Sequence, residues 1–154
     1  MNKLTCVEIY KIKNPSLLTN TIYNNFIYLK KYPELLHNKE EITKSINSKN
    51  NLIYLVFDNK KLIGYLVGDF RTFPDNRYGY YISYFYVGQK YRNNKIGSKL
   101  LEKLINNCKK KTKFIILTCD TFDIKAMNFY KKYGFIEDPI LGSNTRHNVY
   151  CLFL

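Results

Sequence analysis

Residues 84–98 read Tyr84-Phe85-Tyr86-Val87-Gly88-Gln89-Lys90-Tyr91-Arg92-Asn93-Asn94-Lys95-Ile96-Gly97-Ser98. A dense aromatic and β-branched run ends at Val87, a basic polar stretch follows, and an apolar pattern of helical spacing begins at Ile96. This predicts a strand over Tyr80–Val87, a loop over Gly88–Lys95 and then a helix. The helix buries Ile96, Leu100, Leu101, Leu104, Ile105 and Cys108 and turns Ser98, Lys99, Glu102 and Lys103 outward. The first N–H groups of a helix have no partner inside it, so its start attracts anions. Gly97 admits close backbone approach, and Arg92 and Lys95 add positive charge. Taken alone, the loop fits an ordinary basic β-α turn as well as it fits a phosphate site.

Upstream, Leu4 to Ile12 alternates as a first strand. Asn14-Pro15 predicts a helix cap with Pro at the first helical position, and Leu18, Ile22, Phe26 and Leu29 follow at helical spacing until Pro33. A second short helix carries Leu36, Ile42 and Ile46, and the polar run from Asn47 to Asn51 ends it. Strands Leu52–Phe57 and Leu62–Phe70 form a hairpin about Asp58, Asn59 and Lys60. Downstream, Phe114–Thr118 reads as a buried strand and Asp123–Tyr133 as a helix stopped by Gly134. Two final strands lie near Phe135–Glu137 and Val149–Leu154. The order β-α-α-β-β-β-α-β-α-β-β predicts a single α/β domain over residues 1–154. Its mixed sheet is antiparallel early and parallel around the central β-α-β unit. The apolar C-terminal strand offers a sheet edge for a homodimer.

A chain of 154 residues, 45% apolar, supports a core without disulfides and is not disordered. Its net charge of +13 attracts anions, unless it is simply a solvated Lys-rich surface. Arg is scarce and the Lys residues are dispersed, apart from Lys109-Lys110-Lys111, which argues against a dedicated nucleic-acid binder. Cys6, Cys108, Cys119 and Cys151 show no metal-ligand spacing, and the histidines are His37 and His147 alone, so no metal is expected. The opening MNKLTCVEIYKIKN lacks a signal peptide's apolar centre, and no stretch is apolar enough to span a bilayer. A cytoplasmic location is expected, with the nucleus open.

The segment Arg92-Asn93-Asn94-Lys95-Ile96-Gly97 resembles the acetyl-CoA loop of GNAT acetyltransferases, Arg/Gln-x-x-Gly-x-Gly/Ala, which follows a strand ending in Val. Lys95 stands where the pattern has its first Gly, which implies a backbone at 95 open to a residue with a β-carbon. A second segment, Asp123-Ile124-Lys125-Ala126-Met127-Asn128-Phe129-Tyr130-Lys131-Lys132-Tyr133-Gly134-Phe135, is similar to the family's Asn-x-x-Ala-x-x-Phe-Tyr-x-x-x-Gly-Phe, with Asp123 in place of Asn. Two motifs in the right order are more specific than either alone. The resemblance implies acetyl-CoA as cosubstrate, held by loop residues Arg92, Asn93, Asn94, Lys95, Ile96, Gly97 and Ser98, with Asp123 and Lys132 also in contact. It implies that the backbone of Phe85, Tyr86 and Val87 pairs with the pantetheine arm, and that Tyr130 protonates or hydrogen-bonds the departing thiolate.

Amide formation needs a neutral amine, and the strand Gly79–Val87 has no carboxylate to deprotonate one. Asp120, at the end of the following strand, is the remaining candidate base, acting directly or through a water; a helix-capping Asp ahead of Asp123 is the equal alternative. Asp69 is a weaker candidate. The acceptor expected is an anionic aminosugar such as glucosamine 6-phosphate. The charge suits it, and Ile115-Ile116-Leu117-Thr118-Cys119-Asp120 is similar to a strand of eukaryotic glucosamine-phosphate N-acetyltransferases. Against it, Ser83 and Tyr84 replace the Glu and Asp of that enzyme. Lys30, Lys31, Arg71, Arg77, Arg146 and His147 are candidate contacts at the acceptor mouth. The alternatives are a protein N-terminal or lysine acetyltransferase, or a CoA-binding domain without turnover.

Overall fold

The computed structural model describes residues 4–9, 14–31, 36–141 and 147–154. Its elements are β1 (Leu4–Ile9), α1 (Pro15–Asn25), α2 (Lys39–Ile46), β2 (Asn51–Asp58), β3 (Lys61–Thr72), β4 (Tyr78–Val87), α3 (Ile96–Cys108), β5 (Phe114–Asp120), α4 (Ile124–Lys132), β6 (Ile136–Glu137) and β7 (His147–Phe153). Short 3-10 turns cover Ile27–Lys31 and Gln89–Tyr91. The order is the α/β order expected from the sequence.

The strands form one seven-stranded mixed sheet, ordered β1-β2-β3-β4-β5-β7-β6. β1, β2 and β3 pair antiparallel, and β4 pairs with β5 in parallel. The parallel register runs from Tyr80↔Ile115 to Ile82↔Leu117 and ends there, although β4 continues to Val87 and β5 to Asp120. β7 is flanked by β5 on one side and by β6 on the other. The expected C-terminal edge for a homodimer is therefore corrected: the two-residue β6 takes the outer position, because the chain after α4 returns to pair with β7.

Local chemistry explains several boundaries. Pro15 opens α1, but the Asn14 side chain makes no cap bond and instead accepts from the Ser16 hydroxyl at 2.7 Å. α2 begins at Lys39, so Leu36 lies outside it. Asn38 Oδ1 accepts from the Glu41 N–H at 2.8 Å while Glu41 Oε1 accepts from the Asn38 N–H at 3.3 Å, a closed capping box. Asn51, expected in the polar stretch after α2, is buried at the start of β2, and its amide donates to the Ile46 carbonyl at 2.6 Å. Pro33 and the end of the predicted first strand lie outside the described residues.

The chain divides into two compact units, Met1–Asp69 with Tyr84–Gly97, and Phe70–Ser83 with Ser98–Leu154. In the first, Leu18 and Ile22 of α1 and Ile42 and Ile46 of α2 pack on Ile53, Leu55, Tyr65, Val67 and Tyr84 of the strands. Each fully buried aliphatic side chain of this kind contributes roughly 1.5–3 kcal/mol. In the second, Phe73, Phe114, Ile116 and Cys151 form a core. Of the predicted α3 face, Ile96, Leu100, Leu101, Leu104 and Cys108 are buried and Ile105 is half-buried. Among the described residues no helix is long and apolar enough to cross a membrane.

Candidate active site

The first unit holds the basic loop. Beyond Val87 the Gly88 N–H donates to the Ile63 carbonyl at 2.7 Å, which ties the loop's entry to β3. A β-carbon on Gly88 would meet that carbonyl at 3.2 Å. The Tyr91 hydroxyl then donates to Asp58 Oδ2 at 2.5 Å, which anchors the 3-10 turn to the β2–β3 hairpin. Arg92 Nε donates to the Val87 carbonyl at 2.9 Å, and the guanidinium lies 5.4 Å from the centre of the Tyr86 ring. Asn93 and Lys95 have φ of +69° and +61°. Asn tolerates the left-handed region, whereas a lysine enters it at a cost of about 1–2 kcal/mol. The sequence expectation for Lys95 is thereby corrected: its conformation is one that favours the missing glycine. These turns aim the chain into α3, where Gly97 is the second helical residue. Lys90, Arg92, Asn93, Asn94 and Lys95 are exposed around that start, and Ser98 is half-buried.

The second unit holds the remaining candidates. Cys119 is buried and Asp120 half-buried at the end of β5, where Asp120 stands opposite His147 in the β5–β7 register. Desolvation raises the Asp120 carboxyl above the usual carboxylate range; the charge of His147 opposes this and Asp123 adds to it. The helix-capping alternative for Asp120 is resolved in favour of its neighbour, because Asp123 Oδ1 accepts from the Ala126 N–H at 3.1 Å. That bond engages one oxygen, Oδ1, of Asp123, a sequence candidate for cofactor contact. Lys132 is exposed in the last turn of α4, and Gly134 follows at φ +94°.

Tyr130 packs between Phe129 and Phe135, with both ring centroids 5.5 Å away. Desolvation pushes its phenol well above the ordinary tyrosine range, with smaller contributions from Cys119 and Asp123. A phenol so shifted stays protonated at neutral pH, the state a proton donor requires. Burial likewise pushes the Cys119 thiol up to about 12, so that it is not a thiolate nucleophile.

Some expected acceptor contacts are otherwise engaged. Arg77 binds Asp138 through Nη1 at 2.8 Å and Nη2 at 2.9 Å, and reaches Asp75 Oδ2 through Nη2 at 2.8 Å. It is a structural clamp, and its removal from the acceptor set is a correction forced by the Asp75 and Asp138 carboxylates. Arg71 lies 4.6 Å from the centre of the Tyr81 ring. Lys30 and Lys31 are exposed, Asp69 is buried within β3, and Arg146 lies outside the described residues. The structure adds a pair that sequence reasoning missed: the Tyr84 hydroxyl and His37 Nδ1 stand 2.6 Å apart. The partners are 47 residues apart, and no spacing rule links them. Among the described residues no group of three or more His, Cys, Asp or Glu is arranged to hold a metal ion.

The first unit thus carries a basic turn into a helix start, and the second a protonated phenol and a carboxylate at a strand end. The model of the acetyltransferase (GNAT) family matches residues 18–135. No curated protein matches the chain by sequence. Among solved structures, an acetyltransferase from Thermus thermophilus is similar at a TM-score of 0.75 and 16% identity, covering 100% of both chains. Arabidopsis thaliana NAA60 in complex with acetyl-CoA is similar at 0.71 and 14%, covering 99% of both chains. Arabidopsis thaliana Naa50 in complex with the bisubstrate analogue CoA-Ac-MVNAL is similar at 0.69 and 21%, covering 97% of both chains.

Proposed function

This chain belongs to the GNAT acetyltransferase family, and from that premise we propose that it is an acetyl-CoA-dependent N-acetyltransferase, a single domain acting on a primary amine. The observation that carries the reading is the loop 88–97, in which a glycine-type backbone at Lys95 directs a basic turn onto the start of α3. Its N–H groups and exposed cations suit a pyrophosphate. Phe85, Tyr86 and Val87 precede it on β4, beyond the point where parallel pairing with β5 ends, which supports backbone contact with the pantetheine arm. Tyr130 protonates the departing thiolate. Asp120 takes part in deprotonating the amine, directly or through a water.

The acceptor is read as a small anionic amine of the aminosugar-phosphate class, on the strength of the +13 charge. A peptide amine is the second reading. The engagement of Arg77 favours it, as do the exposed Ile27 and Tyr28, which follow Phe26 beside Tyr84 and Tyr86. Thiol release from acetyl-CoA with glucosamine 6-phosphate, glucosamine, spermidine and short peptides side by side separates them. Turnover on peptides alone transfers the assignment to the second reading. Calorimetry tests the cosubstrate itself: Gly97→Glu places bulk and negative charge at the pyrophosphate and abolishes binding. Unchanged binding in a folded Gly97→Glu protein rejects the loop as the site.

A further inference from the structure

An amine that reaches an enzyme at neutral pH arrives as ammonium and attacks a thioester only after losing a proton. We propose that Tyr84 and His37 form the relay that removes that proton, an inference that rests on the acetyltransferase reading. Tyr84 is buried, at 7% exposure, whereas His37 is exposed to solvent. The Tyr84 hydroxyl stands 2.6 Å from His37 Nδ1, and the rings meet edge to face with centroids 5.6 Å apart. Phe26 packs on Tyr84 at 6.1 Å, and Tyr84 itself belongs to the core of α1, α2 and the strands. His37 immediately precedes Asn38, whose capping box fixes the chain at the start of α2. Both partners are thus held by packed elements of one compact unit, the unit that also carries the loop 88–97.

The position of Tyr84 is as informative as its partner. It is the residue before Phe85–Val87 on β4, next in sequence to the backbone assigned to the acyl-bearing arm. Of the other titratable groups, the phenols Tyr65 and Tyr86 pack in the same cluster as Tyr84, and α2 places Lys39, Glu40 and Glu41 after His37 in sequence. Phenols do not take up protons at neutral pH, and a lysine there already carries one. Imidazole is the side chain suited to the task.

A phenol accepts a proton only while giving up its own. The Tyr84 oxygen takes a proton from the ammonium nitrogen as the hydroxyl proton passes along the 2.6 Å bond to His37 Nδ1. One positive charge moves from the substrate to the imidazole, the amine keeps its electron pair for attack, and the exposed ring releases a proton to water. On this reading the relay, and not Asp120, removes the amine proton.

The test uses the full chain with the amine that the panel identifies as best. His37→Gln keeps an acceptor for the Tyr84 hydroxyl but takes no proton; Tyr84→Phe removes the hydroxyl; His37→Ala opens space for added imidazole. Each is expected to lower kcat by about a hundredfold, the scale of general-base catalysis, with acetyl-CoA affinity by calorimetry within about twofold. Imidazole in solution should restore turnover to His37→Ala in proportion to its free-base concentration, a response that a merely structural histidine would not give. Wild-type kcat in His37→Gln, or a loss in His37→Ala without imidazole rescue, overturns the relay. So does an Asp120→Asn variant that loses turnover while both His37 variants keep it. A wild-type protein that binds acetyl-CoA but acetylates no amine in the panel overturns the transferase reading and the relay together.

Discussion

The hydroxyl of Tyr91 donates to Asp58 Oδ2 at 2.5 Å, and the other oxygen of that carboxylate, Oδ1, is buried with no hydrogen-bond partner among the described residues. One bond therefore joins the middle of the basic loop to the β2–β3 hairpin and gives a buried acceptor its neutral donor. The Asp58 carboxylate also raises the pKa of the Tyr91 phenol, which keeps the donor protonated. Tyr91→Phe should leave both Asp58 oxygens unpaired and loosen the loop. The expected outcome is a lower melting temperature and acetyl-CoA binding weakened by roughly tenfold, the scale of a hydrogen bond to a charged group. Asp58→Asn, which keeps an acceptor, should lose less. Equal affinity in Tyr91→Phe and wild type would show that the anchor does not shape the site.

Tyr130 carries the second prediction. Desolvation holds its phenol well above the ordinary tyrosine range, so the proton is present across the working pH of the enzyme. Tyr130→Phe should reduce kcat by about a hundredfold and leave acetyl-CoA affinity nearly unchanged, since only the hydroxyl is lost. Because the shift is upward, loss of this proton should not limit the rate below about pH 10, the ordinary tyrosine value. Wild-type turnover in the Phe variant would remove Tyr130 from the acid role.

What the sequence makes legible is local. The strand-to-helix change at Val87–Ile96, the apolar stripe of α3 and the stop at Gly134 are each written in neighbouring residues, and the structure repeats them. Pairings across the chain are not written that way. Arg77 reads as a candidate contact at the acceptor mouth until folding sets it beside Asp138, 61 residues away. Asn51 reads as loop because it is polar, yet its amide caps the Ile46 carbonyl from inside the sheet. Tyr84 reads as one more aromatic in a buried strand, and nothing in the spacing marks His37 as its partner. Within the candidate site, the loop and Tyr130 follow from motif; what surrounds Asp120 follows only from the β5–β7 register that faces it with His147.

The Arg77–Asp138 clamp predicts an acid sensitivity. Burial alone would raise the Asp138 carboxyl. Hydrogen bonds from Arg77 and from the Leu141 and Ile140 N–H groups, with the Arg77 charge, bring it down to about 2. A carboxyl depressed in the folded state adds stability above its unfolded value of about 3.9 and loses it as pH falls toward 2. The contribution is on the order of 2–3 kcal/mol at neutral pH. Asp138→Asn should lower the melting temperature at pH 7 and flatten the decline between about pH 4 and pH 2. An acid limb identical to wild type would mean that other carboxylates govern it.

Lys95 offers the sharpest test of the loop, because strain and charge make separable demands on it. Its φ of +61° disfavours any β-carbon by about 1–2 kcal/mol. Lys95→Gly removes that cost, but glycine also gains freedom in the unfolded chain, which offsets about 0.4–1 kcal/mol. Lys95→Ala keeps the cost and has the stiffer unfolded chain. Glycine should therefore be more stable than alanine here by about 0.5–1 kcal/mol, against the usual order for an exposed position. Both variants lack the ammonium group. If Lys95 lies beside the pyrophosphate, both should bind acetyl-CoA more weakly than wild type, and the difference should shrink as salt screens the lost attraction. Alanine as stable as glycine would place residue 95 outside the left-handed region in solution. Wild-type affinity in both variants at low salt would leave Lys95 as a strained residue with no part in binding the anion.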